Sequence, residues 1–207
     1  MNTGTDTQKI VKIRSHVRNI KLNSQKKTYH NNMITGLLLA SMILLLAGML
    51  LAIWRNGWKI PTSVSATVYF LPQQWRIIWT VWLWAVTLTA APSLMAAIPC
   101  GWQWLGWLTV TGMMVTACLP LGSSVTDTKE HNIFAAVAGV FSQLCVVTIS
   151  PIWLLVWVLP CWALIALSAI PKRWAYNAIV WIRSKFIFLL EVLCVVALYG
   201  AILSKVI

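Results

Sequence analysis

The stretch that decides the fold is Gly36–Trp54, GLLLASMILLLAGMLLAIW. Extended back to Ile34, it carries no charge. About 20 apolar residues are what a helix needs to cross the hydrocarbon core of a bilayer. Blocks of the same kind recur downstream. They predict spans over Ile34–Trp54, Arg76–Ile98, Leu105–Leu121, His131–Ile149, Ile152–Ile170 and Phe186–Leu203. Pro99-Cys100-Gly101 and Ser150-Pro151 separate the tightest pairs, because a proline disfavours helix at the residue before it. The reading is therefore all-α, a polytopic transmembrane helical bundle of about six spans. Five spans with a re-entrant segment is the alternative. A β-barrel is excluded, since its strands alternate apolar and polar residues over about ten positions.

Composition agrees. The 207 residues are 59% hydrophobic and 10% charged, where an ordinary soluble domain carries roughly 25% charged residues. The first span has a long polar leader and near-full length, so it is expected to stay as an anchor rather than be cleaved. Residues 1–33 are expected to form a basic, largely disordered cytoplasmic tail, with a short helix near Lys9–Lys21. Residues 34–207 are expected to form the six-helix transmembrane domain. Sixteen Lys and Arg face four acids, and Lys9, Lys12, Arg14, Arg18, Lys21, Lys26 and Lys27 lie in the tail. Basic residues beside a first span are retained on the cytoplasmic side. The expected location is thus the inner, cytoplasmic membrane of a bacterium, with the N-terminus inside. The basic 171–185 loop runs against that rule, because six spans place it outside.

The expected partners are membrane lipids and a second copy of the chain. Nucleic acid is not expected: binding of single strands uses several stacking rings, and the tail has only Tyr29. Cys100, Cys118, Cys145, Cys161 and Cys194 form no CxxC and have no histidine at zinc spacing, so neither metal nor disulfide framework is expected. No cofactor is expected, because a Walker loop and a dinucleotide fingerprint are absent from the sequence. Most of the fourteen tryptophans fall near span ends, as in an aromatic belt. Trp82, Trp84, Trp157 and Trp162 are deeper and read as packing or lipid-facing residues.

Candidate chemistry sits in three places. Glu191 is the only acid within an expected span, and a carboxylate at the bilayer centre costs about 2.5–3.5 kcal/mol on insertion scales. Its plain reading is pairing with Lys185 or a backbone donor near the helix end, and its functional reading is a ligand or proton site. His131 opens the fourth span, and Ala135, Gly139 and Gln143 follow at four-residue spacing, with Ala138 and Ser142 beside them. Small residues on one face allow close helix approach. The third place is the loop Pro61–Tyr69, PTSVSATVY, with hydroxyls at Ser63, Ser65, Thr67 and Tyr69. Six spans put this loop, the 122–130 loop, His131 and Glu191 at one membrane face. That convergence predicts a ligand-binding site of Glu191, His131, Ser63, Ser65, Thr67 and Tyr69, with no catalytic residue assigned. The leading function is binding or sensing of a lipid or small envelope ligand. The alternatives are a small transporter or channel using Glu191, and a membrane-embedded hydrolase.

Three stretches together, PTSVSATVY, HNIFAAVAGVFSQL and FIFLLEVLCVVALYGAILSK, resemble a group of small six-span bacterial membrane proteins. In outline these look like the bacterial side of the DRAM/Sfk-type membrane proteins. The resemblance covers roughly residues 35–205. It implies six helices, both termini inside and a polar outer face, and it carries over to Pro61, Ser63, Ser65, Ala66, Thr67, Tyr69, His131 and Glu191. The chain departs from the pattern at Val64 and Val68 and in its long basic tail.

Overall fold

The computed structural model describes residues 4–58, 64, 71–119, 125–158, 160, 162 and 172–206. These fold into five α-helices: α1 (Gly4–Arg55), α2 (Arg76–Ala97), α3 (Gln103–Cys118), α4 (Val125–Ile149) and α5 (Lys172–Val206), with 3-10 turns at Gln73–Trp75 and Pro151–Trp157. Successive helices α1 to α4 pack side by side, and α5 returns against α4, α1 and α2 to close the bundle. The protein is an all-helical, multi-pass membrane bundle. Segments Asn31–Arg55, Arg76–Ala97, Glu130–Ile149 and Phe188–Val206 are long and apolar enough to cross a bilayer.

Lipid, not water, is the solvent for most of this surface. Ile43 is 66% exposed and Leu46 58%, while Val81 on α2 and Val140 on α4 are also open. A soluble monomer rarely leaves apolar patches of that extent uncovered. The backbone polar groups beneath are satisfied within each helix, which is what hydrocarbon requires.

Local sequence sets the ends. α1 stops in a Schellman motif, in which Trp58 N–H bonds the Ile53 carbonyl and Gly57 N–H the Trp54 carbonyl. Gly57 adopts φ +64°, the left-handed conformation that glycine takes without a Cβ penalty. Ile98 before Pro99 and Ser150 before Pro151 are both extended, as the proline rule predicts. Gly101 turns the chain with φ +95°.

Three expectations need correction. The tail is helical from Gly4 and continuous with the first span; no proline or glycine lies between Thr5 and Thr35 to break it. The 122–130 loop is helical from Val125, so His131 lies in the second turn of α4 rather than at its start. The basic 171–185 loop is the first part of α5, helical from Lys172, because no proline or glycine lies within residues 172–185 to break it. α3 has 16 residues, about 24 Å of helix, and starts two residues before the expected Leu105–Leu121, the last two residues of which lie outside the described residues. The fifth expected span, Ile152–Ile170, begins as the 3-10 turn Pro151–Trp157, and most of its remainder lies outside the described residues.

In the main apolar cluster Leu38 and Leu45 of α1 meet Val86 and Leu94 of α2, Val146 of α4, and Ala197, Ala201 and Ile202 of α5, and a second one joins Ala52, Trp79, Leu83 and Ala117. Hydroxyls stitch the helices across it. Ser93 bonds the Ile34 carbonyl at 2.8 Å and Thr80 the Ala117 carbonyl at 2.8 Å. The small face of α4 packs as expected but is centred one position round. Ala138, Ser142 and Cys145 are buried, and Ala138 sits against Gly112 of α3. Gly139 faces open space. Three of the four deep tryptophans hydrogen-bond the bundle: Trp82 to the Leu44 carbonyl, Trp84 to the Met114 carbonyl and Trp157 to Gln143 Oε1. Trp162 is 65% exposed.

At mid-bundle, Ser41 Oγ lies 2.6 Å from Tyr199 Oη and 2.8 Å from the Val86 carbonyl. The carbonyl only accepts, so the serine proton goes there and the phenol donates to the serine oxygen. The two ends of this chain are therefore unequal. Ser41→Ala strands a buried phenol and is expected to destabilise by about 1–3 kcal/mol. Tyr199→Phe leaves Ser41 bonded to Val86 and is expected to lose only about 0.5–1.5 kcal/mol. Thermal melts of the two variants in detergent check the order, and equal or reversed losses would contradict this proton arrangement.

Candidate functional site at one end of the bundle

Glu191 lies in the first turn of the Phe188–Val206 span. The Ser41–Tyr199 contact gives it a depth. Glu191 is eight residues along α5 from Tyr199, about 12 Å toward the end of the bundle where α1 finishes. Arg76, ten residues along α2 from Val86, reaches about 15 Å in the same direction. The carboxylate is thus inside the apolar thickness but close to that end.

What meets it there is the loop between α1 and α2. Val64 N–H donates to Glu191 Oε2. A backbone donor facing a carboxylate is a charge-assisted contact, stronger than a neutral pair. A backbone donor is one of the two partners that the sequence offered for Glu191. It joins residues 127 positions apart and pins the middle of the PTSVSATVY segment to α5. Ser63 and Ser65 flank the pinned residue in sequence. Ser63, Ser65, Thr67 and Tyr69 themselves lie outside the described residues, as does Pro61.

His131 is held by other elements. It hydrogen-bonds the Thr116 main chain near the end of α3, while its Nδ1 is buried without a partner. Thr116 is in turn fixed by its hydroxyl on the Gly112 carbonyl at 2.7 Å. Thr80 on the Ala117 carbonyl ties this point to α2. His131 and Glu191 do not touch one another among the described contacts; they occupy the same end of the bundle on neighbouring helices. The Arg55 guanidinium lies 5.9 Å from the Trp75 ring centroid, a cation–π contact that fastens the end of α1 to the start of α2 beside this region.

Gln143, the other polar residue on the α4 face, serves packing. Its Nε2 bonds the Cys194 carbonyl and its Oε1 accepts from Trp157, which ties α4, α5 and the Pro151–Trp157 turn together. At the opposite end of the molecule a cleft of ≈ 480 Å³ opens between Pro99, Trp102 and Trp104 on one side and Leu144, Val147 and Thr148 on the other. The sequence reading missed this cleft and the Ser41–Tyr199 pair. The tryptophans after the Pro99–Gly101 turn and the lone serine in Gly36–Trp54 were their visible signals.

No protein-family model, curated protein or solved structure matches the chain.

Proposed function

We propose that this protein resides in the bacterial cytoplasmic membrane with its N-terminus inside, and that it binds a lipid headgroup or a small polar envelope ligand at its outer end. The orientation rests on the basic tail beside the first span, which normally dominates insertion. The Lys172–Lys185 segment of α5 weighs the other way, but a first helix already anchored constrains those that follow. The reading of the site rests on one observation above all: an acid within a span holds the backbone of a hydroxyl-rich loop. Ionisable residues within membrane spans are expensive and are a functional hypothesis by default. Glu191 accepts hydrogen bonds from the ligand or the loop, the hydroxyls of Ser63, Ser65, Thr67 and Tyr69 adapt to it, and the free Nδ1 of His131 supplies a further polar contact. α2 runs unbroken through Pro92, so the interrupted helix that often marks a transport site is not found there.

Native mass spectrometry of protein released from native membranes tests this reading. The wild type is expected to retain a bound species that is depleted in Glu191→Gln and His131→Ala. Equal retention in all three proteins, or none in the wild type, would contradict it. Glu191-dependent ion flux into liposomes would instead favour a transporter.

A further inference from the structure

Trp79 is 4% exposed, yet its Nε1 has no hydrogen-bond partner among the described residues. The indoles of Trp82, Trp84, Trp153 and Trp157 each have a protein acceptor. An indole N–H only donates, and a donor left buried and unpaired is costly. What Trp79 lacks is therefore an acceptor.

Trp79 lies among Ala52 near the end of α1, Ala117 near the end of α3, and Leu71 of the preceding loop. Thr80 bonds the Ala117 carbonyl and His131 the Thr116 main chain. The buried His131 Nδ1, also without a partner, thus belongs to the same turn of α3. A helical side chain covers the turn N-terminal to its own Cα, so the Trp79 indole lies over the first turn of α2, which Arg76 begins. The Arg76 Nε is buried there as well. A guanidinium has five N–H donors, enough to hold an anion beside a protein partner. The Arg55 guanidinium stands 5.9 Å from the Trp75 ring centroid, so a second cation flanks the start of α2. No side chain caps that helix and no acid lies in its first turn, so neither offsets the positive end of its dipole.

Depth says which anion fits. Val86 is at the middle of the Arg76–Ala97 span. The rise from Val86 to Arg76 is about 15 Å, half of a hydrocarbon core about 30 Å thick. Arg76 is thus at headgroup level, where the phosphates of a bilayer lie, with Trp79 in the turn beneath.

We infer that the start of α2 binds a phosphate group, with Arg76 supplying the charge, Trp79 Nε1 donating to one oxygen, and Arg55 at the rim. The inference rests on the reading of this end as a ligand site and deepens it: Glu191 and the loop meet the donors of the ligand, and Arg76 and Trp79 meet its phosphate. The phosphate is that of a phospholipid headgroup or free phosphate.

The test uses the full chain in a maltoside detergent and phosphate-free buffer, with its tryptophans labelled with 15N at the indole nitrogen. The Trp79 Nε1–H signal is assigned by its absence in Trp79→Phe. It is followed by NMR during separate titrations with dihexanoyl phosphatidylglycerol, inorganic phosphate and, as a phosphate-free control, monohexanoyl glycerol. A saturable downfield shift is expected with phosphatidylglycerol and none with the control. The same shift with inorganic phosphate would make free phosphate a sufficient ligand; a shift with the lipid alone would make it a headgroup site. The apparent affinity is expected to fall about tenfold or more in Arg76→Gln, and less in Arg76→Lys, which keeps the charge and guards against a folding defect. A signal unmoved by both phosphate ligands would overturn the inference and leave the N–H to a buried water. An equal shift with the control, or an affinity unchanged in both Arg76 variants, would also overturn it. Glu191→Gln is expected to keep the Trp79 shift. A phosphate-dependent shift without any Glu191-dependent bound species would therefore fault the earlier reading alone, and the reverse pattern would fault this inference alone.

Discussion

Gly48→Ala is expected to destabilise the bundle, although alanine is the better helix former. A Cβ at position 48 would sit 2.2 Å from Cε2 and Cζ2 of Trp82 and 2.7 Å from its Nε1. The indole cannot step aside freely. Its Nε1 is bonded to the Leu44 carbonyl at 2.8 Å, and its ring lies 4.5 Å from that of Trp79. Overpacking of a fitted core costs about 1–3 kcal/mol. The gain in helix propensity from glycine to alanine is at most about 1 kcal/mol, so crowding wins. The sign should reverse when the wall is removed: in a Trp82→Leu background, Gly48→Ala is expected to be neutral or stabilising. Thermal melts of the four proteins by circular dichroism decide this. A destabilisation that persists unchanged in the Trp82→Leu background would show that the Gly48–Trp82 contact is not its cause.

Glu191→Leu is expected to act in opposite directions on the helix and on the loop. Removing a carboxylate from a span relieves an insertion cost of up to about 2.5–3.5 kcal/mol, so α5 should be at least as stable. The loop loses its acceptor at Val64. A hydrogen bond to a charged group contributes about 1.5–3 kcal/mol, and each 1.4 kcal/mol corresponds to about tenfold in an equilibrium. Limited proteolysis between residues 59 and 70 should therefore speed up by about tenfold or more, with no fall in melting temperature. Glu191→Gln keeps an oxygen acceptor and should lie between the two. Loop cleavage that is equal in wild type and Glu191→Leu would contradict the pin.

Much of the fold was legible because the bilayer imposes a single coarse demand. Apolar blocks about 20 residues long had to be helices, and the two proline turns marked where two of them ended. The errors lie at the polar edges, where that demand lapses. Lys172–Lys185 and Val125–Glu130 looked like loops because they are charged, yet nothing in them breaks a helix, and each extends the neighbouring span. The tail was misread for the same reason: polarity was taken for disorder, although it has no proline and its apolar residues keep a helical period. In the site, the place of Glu191 near a helix end was legible from the apolar block around it, and a backbone donor was one of the two partners that the sequence offered it. The Ser41–Tyr199 bond could not be read at all. A serine in an apolar run signals a buried partner, but its identity depends on how α5 returns across α1 and α2, which is a tertiary fact.

The account stands most directly on whether the loop and the start of α4 share one membrane face. In a protein stripped of its native cysteines, single cysteines at Thr28, Val64 and Glu130 should be labelled by a membrane-impermeant thiol reagent in intact and opened cells. Thr28 and Glu130 are exposed and Val64 is half-buried. The expected result is labelling of Val64→Cys and Glu130→Cys from outside, and of Thr28→Cys only after the cells are opened. Labelling of Val64→Cys and Glu130→Cys from opposite sides would contradict the account, because no single end of the bundle would then hold the loop, His131 and Glu191 together.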